Sequence, residues 1–190
     1  LVRSPADCTK LGILELSPQR PDVIISGINT GANIGINVIY SGTVAGAVEG
    51  AFFGIPSIAF SQVDKGRGNL EAEAQVTRAV GEQVLAWPPA QRPWLLNVNI
   101  PNRPDALSLP RQITRLGRRH ASEAVIKQTS PRGETIYWIG PAGDAREAGE
   151  GTDFHATASG CVSITPLQVD LTDHAALPGW RAAVGRPTGR

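Results

Sequence analysis

Apolar positions along the chain come in short unbroken runs set between stretches of helical period. Val23-Ile24-Ile25, led by Asp22 and closed by Ser26, is an apolar run of strand length. A run without alternation fits a central parallel strand buried on both faces. Ile55 to Ser61 predicts a second strand, and Trp94 to Ile100, ended by Pro101, a third. Between the first two, Val44, Ala47, Val48, Ala51 and Phe52 recur at i, i+3, i+4, i+7 and i+8, one apolar helix face. This helix opens at Tyr40-Ser41-Gly42-Thr43, after a loop over Gly27 to Ile39. Its Gly46 and Gly50 are poor helix formers, which predicts close packing on a sheet. Gly54 suits the residue after its C-cap. Val76, Val80 and Val84 share a face of a longer helix, which Pro88-Pro89 stops. Asn69 stands at its cap, and Glu71 and Glu73 in the first turn complement its dipole. Ser4 as cap and Pro5 at the first helical position open an earlier helix, running to about Leu14. Alternating strands and helices predict a doubly wound, Rossmann-like α/β fold, three layers about a parallel sheet.

Past residue 110 the texture changes. Ile113 to Leu116 predicts a short strand, and Cys161 to Thr165 another. Val125 to Thr129 and Thr135 to Ile139 flank Ser130-Pro131-Arg132-Gly133. Pro in second place and Gly in fourth fit a type I turn, so 124–139 predicts a β-hairpin. Pro141 to Gly151 is a Gly-rich loop, and Leu171 to Val184 holds a final helix. The expectation is a single domain over 1–190: an α/β core at 1–110 and a β-rich appendage at 111–190 with the hairpin and a C-terminal helix.

Composition narrows the function classes. The net charge of +1 gives no basic excess for a nucleic-acid polymer or a membrane surface. No run of 18 apolar residues is present, so no membrane-spanning helix is expected. Cys8 and Cys161 stand alone and form neither a disulfide framework nor a zinc pattern, which points to a reducing cytoplasm. The chain begins at Leu1 and contains no Met, which suggests a longer protein.

Charge is unevenly spread. From Val23 to Val63 the one charged residue is Glu49, yet the stretch carries Ser26, Asn29, Thr30, Asn33, Asn37, Tyr40, Ser41 and Thr43 among glycines. Buried amides need partners, and neutral amides, hydroxyls and glycines together suit a backbone-lined anion or metal site. Asn29 lies just past the first strand, at the edge where α/β sheets bind ligands. Ser41-Gly42-Thr43 stands at a helix N-terminus, whose free N–H groups and dipole favour phosphate. Ordinary capping by Ser41 and Thr43, and turn formation by Asn33 and Asn37, are the structural alternatives. As a ligand for a hard cation, the Asn29 amide needs accompanying carboxylates. There is no G-x-G-x-x-G fingerprint, Walker A sequence or G-x-S-x-G elbow. His120, His155 and His174 are scattered, and Arg115, Arg118, Arg119 and His120 form a basic knot better suited to a solvated strand end than to phosphate. Tyr137 and Trp138 suit an interface.

The blocks Pro21-Asp22-Val23-Ile24-Ile25-Ser26-Gly27-Ile28-Asn29, Gly31-Ala32-Asn33-Ile34-Gly35 and Val38-Ile39-Tyr40-Ser41-Gly42-Thr43-Val44 closely resemble the SurE family of 5′/3′-nucleotidases. Pro5-Ala6-Asp7-Cys8, Asn97-Val98-Asn99-Ile100-Pro101, Pro131-Arg132-Gly133, Tyr137-Trp138-Ile139-Gly140, Gly151-Thr152-Asp153 and Val162-Ser163-Ile164-Thr165-Pro166-Leu167 extend the likeness over nearly the whole chain. The resemblance implies a SurE-like fold and metal-dependent hydrolysis of nucleoside 5′- or 3′-monophosphates or other small phosphoesters. Mg²⁺ or Mn²⁺ is the implied ion, and a homodimer or homotetramer, built through the hairpin and C-terminal helix, the implied assembly. It makes Asn29 a metal ligand and Asn33, Ser41, Gly42 and Thr43 the phosphate pocket. The family's paired Asp ligands have no counterpart in 1–190, so catalytic acids are expected upstream of Leu1 and activity of this chain is expected to be impaired. Ile36-Asn37 stands where many members carry an Asp pair. A non-catalytic nucleotide- or anion-binding module, or a decayed homologue, is the rival expectation. A nicotinamide-dependent dehydrogenase shares the fold class but lacks the glycine fingerprint.

Overall fold

The structure, a computed structural model, describes residues 4–63, 69–88, 95–119, 125–139 and 145–184. Helix α1 (Pro5–Leu11) starts as its sequence predicts: the Ser4 hydroxyl accepts from the Asp7 N–H and the Asp7 carboxylate accepts from the Ser4 N–H. A wider π-type turn carries it on to Leu16. Strand β1 (Ile24–Thr30) is followed by a 3₁₀ turn over Gly35–Tyr40 and helix α2 (Gly42–Phe52). Strand β2 (Ser57–Val63), helix α3 (Leu70–Ala86) and strand β3 (Leu95–Pro101) continue the alternation.

The predicted α/β architecture is present, but the sheet is mixed. Strands β1, β2 and β3 run parallel. Strands β4 (Arg111–Ile113) and β9 (Val162–Pro166) complete the order β1-β2-β3-β9-β4. Strand β9 lies antiparallel to β3, which lets the chain return into the sheet without another crossover helix. Two strands of the sheet thus come from beyond residue 110, so the sheet runs across the expected boundary between core and appendage.

The apolar strand at 22–26 was expected to be central and buried on both faces. Instead β1 is the sheet's edge among the described residues, with Ile25 exposed. The strand also runs further than expected, through Gly27, where its register against β2 shifts between Ser26 and Asn29. Gly27 has a φ of 122°, and a Cβ there would strike the Phe60 carbonyl, so only glycine fits.

One apolar layer joins α3 to the sheet through Ile58, Phe60, Val76, Val80, Val84, Val98 and Ile100. The other joins α2 through Val44, Ala47, Ala59 and Leu95. The predicted face of α3 is therefore the buried one, as is that of α2 except at its last residue, Phe52, which is exposed. Asn69 precedes α3, but its side chain does not cap the helix; it donates to the Asn102 carbonyl oxygen of the side chain instead. The predicted hairpin is β6 (Ile126–Thr129) against β7 (Thr135–Trp138), closed by the Gly133 N–H donating to the Ser130 carbonyl at 2.9 Å. Strand β5 (Arg118–Arg119) pairs with β8 (Ala145–Glu147). Helix α4 (Asp153–Ala158) was not expected, and α5 (Leu177–Val184) is shorter than predicted. His120 and Ala124 lie outside the described residues, as does the Arg119 side chain. Of the basic knot, Arg118 pairs at the surface with Glu147 at 3.7 Å.

Candidate phosphate site

Helix α2 is laid against β1 by its glycines. A Cβ on Gly50 would meet Ile24 Cγ1 at 2.6 Å, and one on Gly46 would meet Ser26 Oγ at 2.8 Å. As the helix is followed back toward its start, the strand is followed forward. One further turn back, Gly42 packs against Pro5 of α1, while β1 runs on to pair Asn29 with Ser61 and Thr30 with Gln62. Glycine is needed at 46 and 50 because the Ser26 and Ile24 side chains lie against the helix backbone, too close for a methyl group. The structure thus packs α2 along β1 at Ile24 and Ser26, with Asn29 three residues further along the strand.

At that terminus Ser41 acts as N-cap, its Oγ accepting from the Val44 N–H at 3.1 Å. Its backbone carbonyl takes the Ala45 N–H at 2.9 Å. The N–H groups of Gly42 and Thr43 precede the first intrahelical bond and face outward with the positive end of the dipole. Gly42 is exposed, while Ser41 and Thr43 are half-buried. Ser41 thus spends its hydroxyl on the helix and serves the site by aiming its neighbours' N–H groups.

Asn33 is placed differently from a free pocket-lining amide. Its backbone N–H donates to Asn99 Oδ1 at 2.9 Å, and its carbonyl accepts from Asn97 Nδ2 at 2.8 Å and Asn99 Nδ2 at 3.0 Å. Its own Nδ2 donates to Ser61 Oγ at 2.7 Å. Asn33 is therefore seated on β2 and β3 by three fully buried polar residues, Ser61, Asn97 and Asn99. Sequence reasoning gave none of these three a role. Their signal was present in the period of two that puts Asn97 and Asn99 on one strand face, opposite Val98 and Ile100.

A second missed residue is Asp153, whose buried carboxylate accepts from the N–H groups of Gly35 at 2.7 Å and Gly117 at 2.9 Å. Asn29 donates its amide N–H to the Gly31 carbonyl at 2.8 Å, which fixes the amide plane and leaves Oδ1 as the acceptor end.

The donor set does not suffice for a divalent cation. Among the described residues no three His, Cys, Asp or Glu gather as a metal group. Asp153 spends its oxygens on N–H groups, and Asn29 brings one neutral oxygen where Mg²⁺ or Mn²⁺ wants several, carboxylates among them. No step of a reaction is therefore routed through an ion here.

A mixed, mainly parallel sheet flanked by helices, with neutral amides held along the loop that leads into α2, defines an α/β protein with a candidate anion site. The sequence model of the family described as "Survival protein SurE" matches residues 3–123. The chain is 56% identical over 193 residues to "5′-nucleotidase SurE" of a Polaromonas species, covering 97% of this chain and 74% of that protein. It is 54% identical over 184 residues to the protein of that name from Variovorax paradoxus, covering 96% and 73%. The crystal structure of the SurE protein from Aquifex aeolicus superposes with a TM-score of 0.76 at 40% identity, covering 95% of this chain and 73% of that one. The chain belongs to the SurE family. That fold and membership are what the quoted sequence blocks implied.

Proposed function

We propose that the chain is a phosphomonoesterase of the 5′-nucleotidase type, acting on nucleoside 5′- or 3′-monophosphates. The observation that carries this reading is the Ser41-capped N-terminus of α2, on a helix packed against β1, in a chain 56% identical to a protein named 5′-nucleotidase. In this reading the N–H groups of Gly42 and Thr43 hold the phosphoryl oxygens and stabilise the charge that grows on them as the ester breaks. Ser41 keeps those groups aimed, and Asn33 closes the pocket wall. Asn29 Oδ1 is assigned as one ligand of Mg²⁺ or Mn²⁺, whose carboxylate ligands would lie outside the described residues. Turnover by the 190-residue chain is accordingly expected to be weak, and no general base is assigned.

The same reading has a cytoplasmic enzyme, supported by two unpaired cysteines, and a homodimer or homotetramer. Exposed Tyr137 and Trp138 on the hairpin and Trp180 on α5 support the assembly. No helix among the described residues is long and apolar enough to cross a membrane.

The test is release of inorganic phosphate from AMP with Mn²⁺, comparing the wild type with Asn29→Ala. Loss of turnover in the variant is expected, and equal rates would remove Asn29 from the site. That no group of carboxylates gathers beside Asn29 among the described residues favours a second reading, a nucleotide- or anion-binding module without catalysis. Phosphate binding with no turnover at any metal concentration would select it.

A further inference from the structure

We propose that Asp153 is a positioning residue of the phosphate site. It lies outside the segment matched by the family model and 118 positions along the chain from the loop it holds. The Asp153 side chain is fully buried, and no ion pair among the described residues involves it. Its charge is met by backbone dipoles alone: Oδ2 accepts from Gly35, and Oδ1 accepts from Gly117 and, at 3.0 Å, from Phe154. A buried carboxylate held by three N–H groups is strongly localised, because losing any of them leaves charge uncompensated in a low dielectric.

The geometry around it admits little slack. Gly35 has a φ of 64°, and a Cβ there would lie 2.7 Å from the Gly117 carbonyl oxygen and 2.8 Å from Phe154 Cε2. The Asp153 N–H in turn donates to the Arg115 carbonyl at 3.0 Å, so the segment from Arg115 to Gly117 is tied at both ends of the same residue. Gly35 opens the 3₁₀ turn that leads into Ser41, the cap of α2. The loop between Asn29 and Ser41 is thus clamped twice: at Asn33 by Ser61, Asn97 and Asn99, and at Gly35 by Asp153. The first clamp fixes the loop on the sheet. The second fixes the distance from which the chain enters the helix whose N–H groups face phosphate.

The kinetic consequence rests on the nucleotidase reading, whereas the anchoring does not. In the wild-type chain, the Gly35 and Gly117 amides should exchange with solvent far more slowly than the exposed Gly149 amide. In Asp153→Asn, one N–H faces an amide donor instead of an oxygen. Its kcat/KM for AMP should fall roughly tenfold to a hundredfold, the scale of a small misplacement at a reacting centre. The affinity for inorganic phosphate should fall with it. Thr152→Ala supplies the comparison: it removes the N-cap hydroxyl of the same helix without touching Gly35. It should lower the melting temperature but leave kcat/KM near the wild-type value. A Gly35 amide that exchanges as fast as Gly149 in the wild type overturns the proposal, even if Asp153→Asn does not fold. So does a folded Asp153→Asn with unaltered phosphate affinity. Absence of turnover by the wild type counts against the nucleotidase reading alone, and phosphate affinity and amide exchange still decide the role of Asp153.

Discussion

Asn99 and Asn97 hold the same peptide of Asn33, but replacing them should have unequal effects. In Asn99→Leu the Asn33 N–H loses its acceptor, and the Asn33 carbonyl loses one of its two donors. A buried donor left unsatisfied costs about 1–3 kcal/mol and a lost second bond to the carbonyl about 1 more, so the variant should lose about 2–4 kcal/mol. In Asn97→Leu the carbonyl keeps Asn99, and the Oδ1 of Asn97, which has no partner in the native fold, disappears with the side chain. Removing an unpaired acceptor offsets most of the lost bond, so the net cost should be about 0–1 kcal/mol. Leucine keeps the branched shape of asparagine but is larger, so both variants carry an added overpacking cost, and the comparison rests on the difference between them. Urea unfolding at a common m value measures the difference. An Asn97→Leu variant as destabilised as Asn99→Leu would refute the assignment of Asn33 as the seated residue and Asn99 as its main holder.

Three further predictions concern charge and edges. Glu73 faces the core of α3 with neither carboxylate oxygen hydrogen-bonded, and burial pushes its pKa up. The folded state therefore binds the proton more tightly than the unfolded one. Its contribution is full below the ordinary glutamate value and is lost as pH rises through the raised folded value. Glu73→Leu should remove that decline and raise stability at neutral pH; parallel melting curves for the two proteins between acid and neutral pH would count against this. Calorimetry with Mn²⁺ should give no micromolar binding to the 190-residue chain, because the described residues offer one amide oxygen, and tight binding would show that a ligand group has been overlooked. Strand β1 leaves its outer edge unpaired among the described residues, between clefts of about 480 and 630 Å³ that both border Ile25. Association that grows with concentration is expected on gel filtration, and Ile25→Lys should shift it toward monomer; an unchanged profile would place the contact elsewhere.

The helices were legible because their signals are local. Apolar spacing set the buried faces of α2 and α3, and Ser4-Pro5 and Ser41 marked helix starts that the structure caps as expected. What failed was everything decided by a partner far along the chain. An unbroken apolar run cannot tell an edge strand from a central one when its neighbour is unknown, and among the described residues β1 has a partner on one side. The direction of β9 depends on which strand it meets, β3, and not on its own sequence. Helix α4 is six residues long and offers no periodicity to read. Asp153 was visible only as part of a short motif, since the N–H groups that give it a role belong to Gly35 and Gly117.

The charge-free stretch from Val23 to Val63 shows how polar side chains in one segment divide their bonds between the protein and a candidate site. Its amides and hydroxyls are not idle, which supports the expectation that a plain core would not tolerate them. Yet Asn33, Asn29 and Ser41 all direct side-chain groups at the protein's own backbone or at Ser61. In the proposed function, what is left for a ligand is chiefly backbone: the N–H groups of Gly42 and Thr43 at the start of α2. A site made this way keeps neutral walls for a physical reason. A cationic side chain could move and pair with any passing anion, whereas N–H groups held by a capped helix offer a fixed geometry without carrying a net charge into the sheet. The side chains that matter are then those that hold the backbone still, and single substitutions among them should act on affinity and alignment together.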